Sequence, residues 1–262
     1  MPRTVPILLY HSVSDKPAQW ISQFTVTPRA FADQLGAVAA SGATPLTLSR
    51  LIDGRNRGTL PERPVLVTFD DGFADTRDAA LPELARRGIA ATVYVTTGFL
   101  EQGSGPQGSP MLDGAALREL ARGDIEVGGH SHTHPQLDTL TRSKSRDELR
   151  RCKSLLEDAL SMPVRSFAYP HGYSSAAVRR QVQEEGFDSA CGVGNALSHD
   201  GDDVFHLARL MVRATTTTTE IAAWVAGSGA PLAPRREAVK TRLWRSYRRL
   251  SVRAGLRPAV DL

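Results

Sequence analysis

Short apolar runs alternate with amphipathic stretches through the middle of the chain. The runs rich in β-branched and aromatic residues predict strands, and the longer stretches with one charged face predict helices. The clearest strand sequences are PVLVTFDD, IAATVYVTTGF, IEVGGHSH, RSFAYPHG and FDSACGV. Repeated strand–helix units imply parallel strands joined by right-handed crossovers. With PILLYHS before them and FHLARLMV after them, the pattern predicts six or seven strands in a barrel or a doubly wound sheet.

Polar residues gather directly after the predicted strands. The sequences DDG, GHSHTHP and PHGYSS each follow the last apolar residues of a strand. In parallel α/β folds the carboxyl ends of the strands meet at one edge, and ligands bind there. We therefore expect the functional site at this edge.

Two histidines of GHSHTHP, His130 and His134, are four residues apart. This spacing places both side chains on one side of a helical turn or a tight loop. Joined by a carboxylate from another strand end, they would form a three-ligand site for a divalent cation, with positions left open for water. His132 would point away from the other two and pack or face solvent. The alternative is a solvated histidine loop without a cation.

Two aspartates, Asp70 and Asp71, stand side by side at the end of a predicted strand. Buried carboxylates are costly unless their charge is compensated. Adjacent strand residues point in opposite directions, and Gly72 permits a sharp departure of the chain. One carboxylate can then face a cation while the other faces water, which supplies a metal ligand and a general base. The alternative is that one aspartate only caps the next helix.

The composition is typical of one large α/β domain. The chain has 262 residues, of which 41% are hydrophobic and 23% charged. The apolar run at residues 5–10 is too short for a signal-peptide core, and no run approaches the roughly 18 residues of a membrane span. We therefore expect a cytoplasmic protein, with peripheral binding at the inner membrane face left open. The two cysteines, Cys152 and Cys191, form no CxxC motif and are expected to be buried thiols.

The motifs TFDDG, HSHTH and YPHG resemble the first three motifs of carbohydrate esterase family 4, the polysaccharide deacetylases. The resemblance covers residues 5–225 and is closest to the branch that begins with a YH strand and acts on poly-N-acetylglucosamine-like exopolysaccharides. It implies a distorted (β/α) barrel of about seven parallel strands. It also implies removal of acetyl groups from N-acetylated sugars, and in some members of O-acetyl groups. The implied cofactor is a divalent ion, expected to be Zn²⁺, with Co²⁺ or Ni²⁺ as alternatives.

The resemblance also implies a role for each motif residue. Asp70 corresponds to the catalytic base, and the metal triad corresponds to Asp71, His130 and His134. The third motif would bind the substrate and stabilise the oxyanion through a backbone N–H at His171, and it comprises Tyr169, Pro170, His171 and Gly172. The imidazole of His171 would fill the place of a tyrosine common there.

Two features depart from the family pattern. The third motif carries Phe167 and Ala168 where an arginine that orients the base is often found, and the late histidine motif is not evident. Arg209 is the candidate for the orienting role, although a purely structural ion pair is an equal alternative. His11, at the end of the first strand, is the candidate proton donor for the departing amine, and His206 is the alternative.

The basic charge is concentrated at the C-terminus. Residues 231–262 contain nine Lys or Arg against two acids, a surplus of +7, whereas the whole chain carries +4, so residues 1–230 carry −3. We divide the chain into a catalytic barrel, 1–230, and a helical tail, 231–262. An apolar stripe of this helix is formed by Val239, Leu243, Tyr247, Leu250 and Ala254. The helix could lie on an anionic membrane surface or polymer, or dock on the barrel with its arginines in solvent. Without a recognisable nucleic-acid-binding module, no nucleic-acid partner is expected.

The leading hypothesis is a metal-dependent deacetylase of an N-acetylated glycan or sugar precursor. One alternative is a deacetylase of a small non-carbohydrate amide or O-acetyl ester. Another is a catalytically idle glycan-binding relative, which the missing third-motif arginine keeps open.

Overall fold

The computed structural model describes residues 3–234 and 239–253. Twelve strands occur in this part of the chain. They are β1 (Thr4–Val5), β2 (Ile7–Tyr10), β3 (Ser12–Val13), β4 (Thr25–Val26), β5 (Thr44–Pro45), β6 (Pro64–Phe69), β7 (Ala91–Val95), β8 (Ile125–Gly129), β9 (Ser166–Ala168), β10 (Ser189–Cys191), β11 (Ser198–His199) and β12 (Leu210–Met211).

Seven of these strands form one curled parallel sheet in the order β10-β9-β8-β7-β6-β2-β12, and β5 pairs in parallel with β6. A parallel bridge joins Cys191 of β10, at one end of this order, to Leu207, three residues before β12 at the other end. The predicted barrel-like sheet of about seven parallel strands is confirmed. Its strands are almost continuously apolar because helices cover the sheet. Both cysteines are free and buried, as expected.

Nine α-helices surround the sheet or follow it in the described residues. They are α1 (Pro28–Ala40), α2 (Leu48–Arg57), α3 (Leu81–Arg87), α4 (Thr97–Gln102), α5 (Gly114–Leu120), α6 (Arg142–Leu160), α7 (Ala176–Glu184), α8 (Thr218–Val225) and α9 (Val239–Arg253). Side chains cap several N-termini, as Thr27 does for α1 and Asp113 for α5. Each such cap contributes about 0.5–2 kcal/mol. No helix within the described ranges is both long and apolar enough to cross a membrane.

The C-terminal helix α9 docks in a way that the sequence did not predict. Its arginine side faces the barrel, where Arg248 is 2% exposed, whereas Leu243 and Leu250 are 66% and 64% exposed. The helix thus docks on the barrel, as one of the two alternatives has it, but the expectation that its arginines lie in solvent is wrong for Arg248. Ala254 of the expected stripe lies outside the described residues. The proposed boundary at residue 230 stays a prediction.

Strand β8, which leads to His130, lies very close to its neighbours. A Cβ atom added at Gly128 would lie 2.6 Å from the ring of Tyr94 and 2.7 Å from Ser166 Oγ. Because these are fully buried side chains, the strand needs a residue without a side chain at this position.

We predict that Gly128→Ala lowers the free energy of unfolding by about 1–3 kcal/mol, because the methyl group overpacks the core. The matched control is Gly36→Ala in helix α1, where the nearest atom to the added Cβ, Arg87 Nη2, is 3.8 Å away. This control is expected to be neutral or to stabilise the protein by up to about 1 kcal/mol. Urea unfolding midpoints measure both changes, and equal midpoints for the two variants would contradict the prediction.

Candidate active site

A strained turn at the end of β6 brings the two adjacent carboxylates to the same site. The N–H of Gly72 donates to the carbonyl of Asp70 at 2.9 Å, across Asp71, whose φ is +71°. A three-residue turn of this kind is rare and costly for a residue with a side chain. The turn interrupts the alternation of side-chain directions along the strand, so both carboxylates are buried and lie close to His130. His130 Nε2 is 3.7 Å from Asp70 Oδ2 and 3.5 Å from Asp71 Oδ1.

The loop after β8 is held in a similar strained conformation. Ser131 and His134 have φ values of +66° and +60°, and the N–H of His134 donates to Ser131 Oγ at 3.0 Å. His130 Nδ1 donates to the carbonyl of Ala168 at 2.8 Å, because a carbonyl oxygen only accepts. This hydrogen bond fixes the tautomer and leaves Nε2 with its lone pair directed to the aspartate pair. His132 points away, with Nδ1 2.9 Å from Thr97 Oγ1.

The residues Asp71, His130 and His134 fit a divalent cation. One ligand atom from each lies within 4.8 Å of the others. The Nε2 atoms of the histidines are 3.5 Å and 3.3 Å from Asp71 Oδ1. Bonds of about 2.0–2.2 Å in a tetrahedral site place neighbouring donors roughly 3.3–3.6 Å apart. Asp71 Oδ1 is moreover buried without a hydrogen-bond partner among the described residues, which is costly for a carboxylate unless an ion binds it.

Burial shifts the pKa values of all three residues toward their neutral forms. It raises the pKa of Asp71 to about 6, a shift that the neighbouring His11 opposes only in its protonated form. It lowers the pKa of His130 to about 3 and that of His134 to about 4, against the opposing charge of Asp70. Neutral imidazoles are the form that binds a metal ion. The histidines are therefore in the form that binds a cation at neutral pH. The positive charge of a bound cation would stabilise the ionised form of Asp71, which burial disfavours.

Asp70 is compensated in a different way, by a buried arginine. Arg209 Nη1 and Nη2 each donate to one Asp70 oxygen at 2.7 Å, and its Nε donates to the carbonyl of Gly192 at 2.9 Å. Burial alone would raise the pKa of Asp70, but Arg209 and then His130 outweigh it and lower the pKa to about 2. Asp70 is thus ionised and held in a fixed orientation. The ion pair is the geometry expected of an orienting arginine, and its catalytic importance stays a prediction.

The turn after β9 forms another side of the site. His171, in the turn Pro170–Gly172, has a φ of +56°, and its ring centroid is 4.7 Å from that of His134. Burial lowers the pKa of His171 to about 4. Its role as the backbone donor to an oxyanion stays a prediction. Tyr169 differs from the expectation for a substrate-binding side chain, because it is fully buried and its hydroxyl donates to the carbonyl of Phe205 at 2.9 Å.

His11 lies next to the aspartate pair. Its ring packs on Phe24 at 5.2 Å between centroids, and its Nδ1 is buried with no hydrogen-bond partner in the described part of the chain. Burial lowers its pKa, and the charges of Asp71 and Asp70 oppose the shift. The alternative proton donor, His206, instead lies against Ser174, with Nδ1 3.2 Å from its Oγ.

Sequence reasoning missed a residue that shapes the histidine loop. Glu148, on helix α6, accepts from the N–H groups of His132 and Thr133 at 2.9 Å and 2.7 Å, and from Thr133 Oγ1 at 2.7 Å. This carboxylate anchors the loop between the two metal-ligand candidates. A glutamate in an amphipathic helix carries no local signal of such a role, since its partners lie in a different element.

The comparisons with known proteins agree with this geometry. Residues 57–190 match the family model described as polysaccharide deacetylase. The chain is 24% identical to YxkH of Bacillus subtilis over 71% of its length, and 23% identical over 78% to the poly-β-1,6-N-acetyl-D-glucosamine N-deacetylase of Staphylococcus epidermidis. The Streptococcus pyogenes deacetylase PplD superposes with a TM-score of 0.77 at 21% identity, over 84% of this chain and 97% of PplD.

The chain matches only part of the length of its curated relatives. The chain spans 63% of the length of YxkH and 73% of the S. epidermidis enzyme. The family model covers 134 of the 262 residues, counted from 57 to 190, and includes Asp70, Asp71, His130, His134 and His171. The chain therefore belongs to the polysaccharide deacetylase family.

Proposed function

We propose that this chain is a metal-dependent deacetylase that hydrolyses the N-acetyl groups of an N-acetylated sugar or polysaccharide. The observation that carries the proposal is that two adjacent carboxylates, at the carboxyl end of β6, have different partners for their charges. Asp70 is ionised and clamped by Arg209, while Asp71 Oδ1 faces two imidazole nitrogens and lacks a hydrogen-bond partner among the described residues. A base and a cation site next to each other are what amide hydrolysis requires.

The chain's own residues would each have one task. Asp71, His130 and His134 would hold the cation, which when bound supplies Lewis acidity toward a carbonyl oxygen and makes water more acidic. Asp70 would accept the proton of the attacking water. Arg209 would hold the Asp70 carboxylate in place, and the backbone N–H of His171 would donate to the oxygen that becomes negatively charged.

The proton balance of the reaction is closed within the site. Water adds to the acetyl carbon, the bond from carbon to nitrogen breaks, and acetic acid and an amine result; at neutral pH the proton of the acid passes to the amine, which leaves acetate and an ammonium group. The proton that Asp70 takes from water equals the one that the departing nitrogen must gain. Because burial keeps His11 neutral at neutral pH, His11 could donate only after receiving this proton. We propose His11 as the relay, with direct return from Asp70 as the alternative.

The donor set favours zinc. Two imidazole nitrogens and one carboxylate oxygen, with positions left for water and substrate, are typical of catalytic Zn²⁺ sites. Co²⁺ and Ni²⁺ accept the same ligand types and are alternatives. A sugar substrate is supported by family membership and by the similarity to the S. epidermidis poly-β-1,6-N-acetyl-D-glucosamine N-deacetylase.

The first test is Asp70→Asn, assayed for metal content and for acetate release from N-acetylglucosamine oligomers. We expect about one zinc per chain, as in the wild type, and a loss of acetate release of about 10²–10⁴-fold, because the base is removed and the ligands stay. His134→Ala is expected to lose both metal and activity. The matched control is Asp124→Asn, an exposed aspartate paired with Arg50, which should retain both.

Three outcomes would change the proposal. Zinc binding with acetate released from small amides or acetyl esters, but not from sugars, would favour the non-carbohydrate substrate. Zinc and glycan binding without any turnover by the wild type would favour the idle glycan-binding relative. A wild-type chain that binds no divalent ion would remove the mechanism.

A second test separates the two possible roles of Arg209. Arg209→Lys retains the positive charge but loses the paired hydrogen bonds that orient Asp70. We expect kcat to fall at least about tenfold with metal content unchanged, because a misoriented base reacts less efficiently. The measurement is kcat per folded molecule, with folding checked by circular dichroism. A variant with lower stability but wild-type kcat would show that the ion pair is only structural.

We also propose that the exposed stripe of α9 binds an anionic lipid surface. The support is that Leu243, Tyr247 and Leu250 are 66%, 56% and 64% exposed, on a helix whose sequence has no acid and has three basic residues besides the three arginines that contact Asp138. Apolar side chains on a basic helix suit the interface of an anionic membrane.

We also propose that the protein is cytoplasmic. Cell fractionation is the test of this location.

Vesicle co-sedimentation tests the lipid surface. We expect binding to vesicles that contain phosphatidylglycerol, little binding to pure phosphatidylcholine, and loss of at least about tenfold in affinity for the double variant Leu243→Ser/Leu250→Ser, since two leucines leave the lipid. The control is Met162→Ser, an exposed methionine outside α9. Absence of vesicle binding, or a dimer in light scattering that the double variant abolishes, would contradict the proposal.

A further inference from the structure

Helix α9 contacts the barrel through a buried guanidinium, that of Arg248. Arg248 Nη1 donates to Asp138 Oδ1 at 3.1 Å and to Gln136 Oε1 at 3.0 Å, and Nη2 donates to Asp138 Oδ2 at 2.6 Å. Its Cζ lies 3.6 Å from the centroid of the Tyr173 ring. With Arg248 only 2% exposed, this is a desolvated ion pair and cation–π contact.

The groups that Arg248 contacts belong to two different loops of the site. Asp138 and Gln136 follow the loop after β8, within four residues of His134. Tyr173 comes directly after the turn that follows β9 and carries His171. One guanidinium thus contacts both the segment that continues the metal-ligand loop and the segment that continues the predicted oxyanion turn.

A row of aromatic rings leads from this guanidinium to the metal-ligand candidates. The Tyr173 ring stacks on that of His171, with centroids 6.3 Å apart and an interplanar angle of 22°. The His171 ring lies 4.7 Å from that of His134. A displacement of Tyr173 would therefore leave His171 without its outer neighbour, and packed rings transmit such shifts.

The charge balance around Asp138 makes the connection strong. The Asp138 side chain is fully buried. Arg245 Nε is 3.7 Å from its Oδ2, and Arg249 Nε donates to its backbone carbonyl at 2.7 Å. Removing one partner of a buried pair leaves a charge that neither water nor another group compensates fully. Since all three arginines belong to α9, the helix and the loop are held together as one unit.

We propose that Arg248 is a positioning residue, which locks the loop after β8 and the turn after β9 together and so makes the C-terminal helix part of the active-site framework. The catalytic consequence of this lock rests on the proposed deacetylase function. The mechanical consequence does not, because it concerns the mobility of two backbone segments.

Hydrogen–deuterium exchange of the full chain tests the mechanical part. In Arg248→Met we expect amide exchange at residues 134–139 and 169–175 to rise at least about tenfold, which corresponds to 1.4 kcal/mol of lost protection. Arg248→Lys, which keeps the charge but not the fork, should show a smaller rise at the same two segments. The matched control is Arg50→Met, which breaks an exposed Arg–Asp pair of 2.8 Å and should leave both segments unchanged.

Activity is the second readout and is interpreted separately. With the proposed substrate, kcat of Arg248→Met should fall about tenfold while zinc content and KM change little, as expected for misplacement of the catalytic groups. Faster exchange confined to α9, or to only one of the two segments, would overturn the lock. Wild-type kcat together with faster exchange at both would overturn its catalytic part. If the wild type itself releases no acetate, the proposed function fails while the exchange result still decides the lock.

Discussion

The buried ion pair between Asp70 and Arg209 is the constraint on which the site depends. Two adjacent carboxylates are buried at the end of β6, where they repel each other strongly because the dielectric constant is low. Each of them therefore needs its own compensating group. Arg209 compensates Asp70 with two hydrogen bonds, while Asp71 faces two neutral imidazoles instead of a second arginine. This unequal compensation separates the two carboxylates into an ionised group, which is the proposed base, and a residue suited to a cation.

The parallel topology explains how residues far apart in sequence meet there. Asp70, His130 and His171 follow the adjacent or nearby strands β6, β8 and β9 at the same edge of the sheet. The strands are buried and largely apolar, and the positive φ values of non-glycine residues in the described part of the chain all lie outside them. Asp71, Ser131 and His171 all have positive φ values, and such conformations persist only where the surrounding structure enforces them.

How far the sequence predicts this structure depends on whether a feature is local. The strand–helix alternation carries enough local pattern to predict the sheet, and the short motifs around Asp70 and His130 carry enough to predict the three residues that the structure brings together as a candidate cation site. Asp70, the partner of Arg209, lies 139 residues away in sequence. The sequence pattern therefore left open whether Arg209 orients the base or forms a purely structural ion pair. The contacts of Glu148 and the burial of the Tyr169 hydroxyl were not predicted, because both arise only from tertiary packing.

The orientation of α9 illustrates the same limit and has a consequence for the extent of the functional unit. An apolar stripe normally predicts the docked face of a helix, but here a buried aspartate on the barrel selects the arginine face, because Asp138 would otherwise be an uncompensated charge. The segment that matches the family model, residues 57–190, contains the candidate cation ligands but neither Arg209 nor Arg248. The groups proposed to hold Asp70 and the two loops in place thus lie outside that segment. On these two proposals the active site extends from β2 to α9, because a fragment limited to the matched residues would keep Asp71, His130 and His134 without the contacts of Arg209 and Arg248.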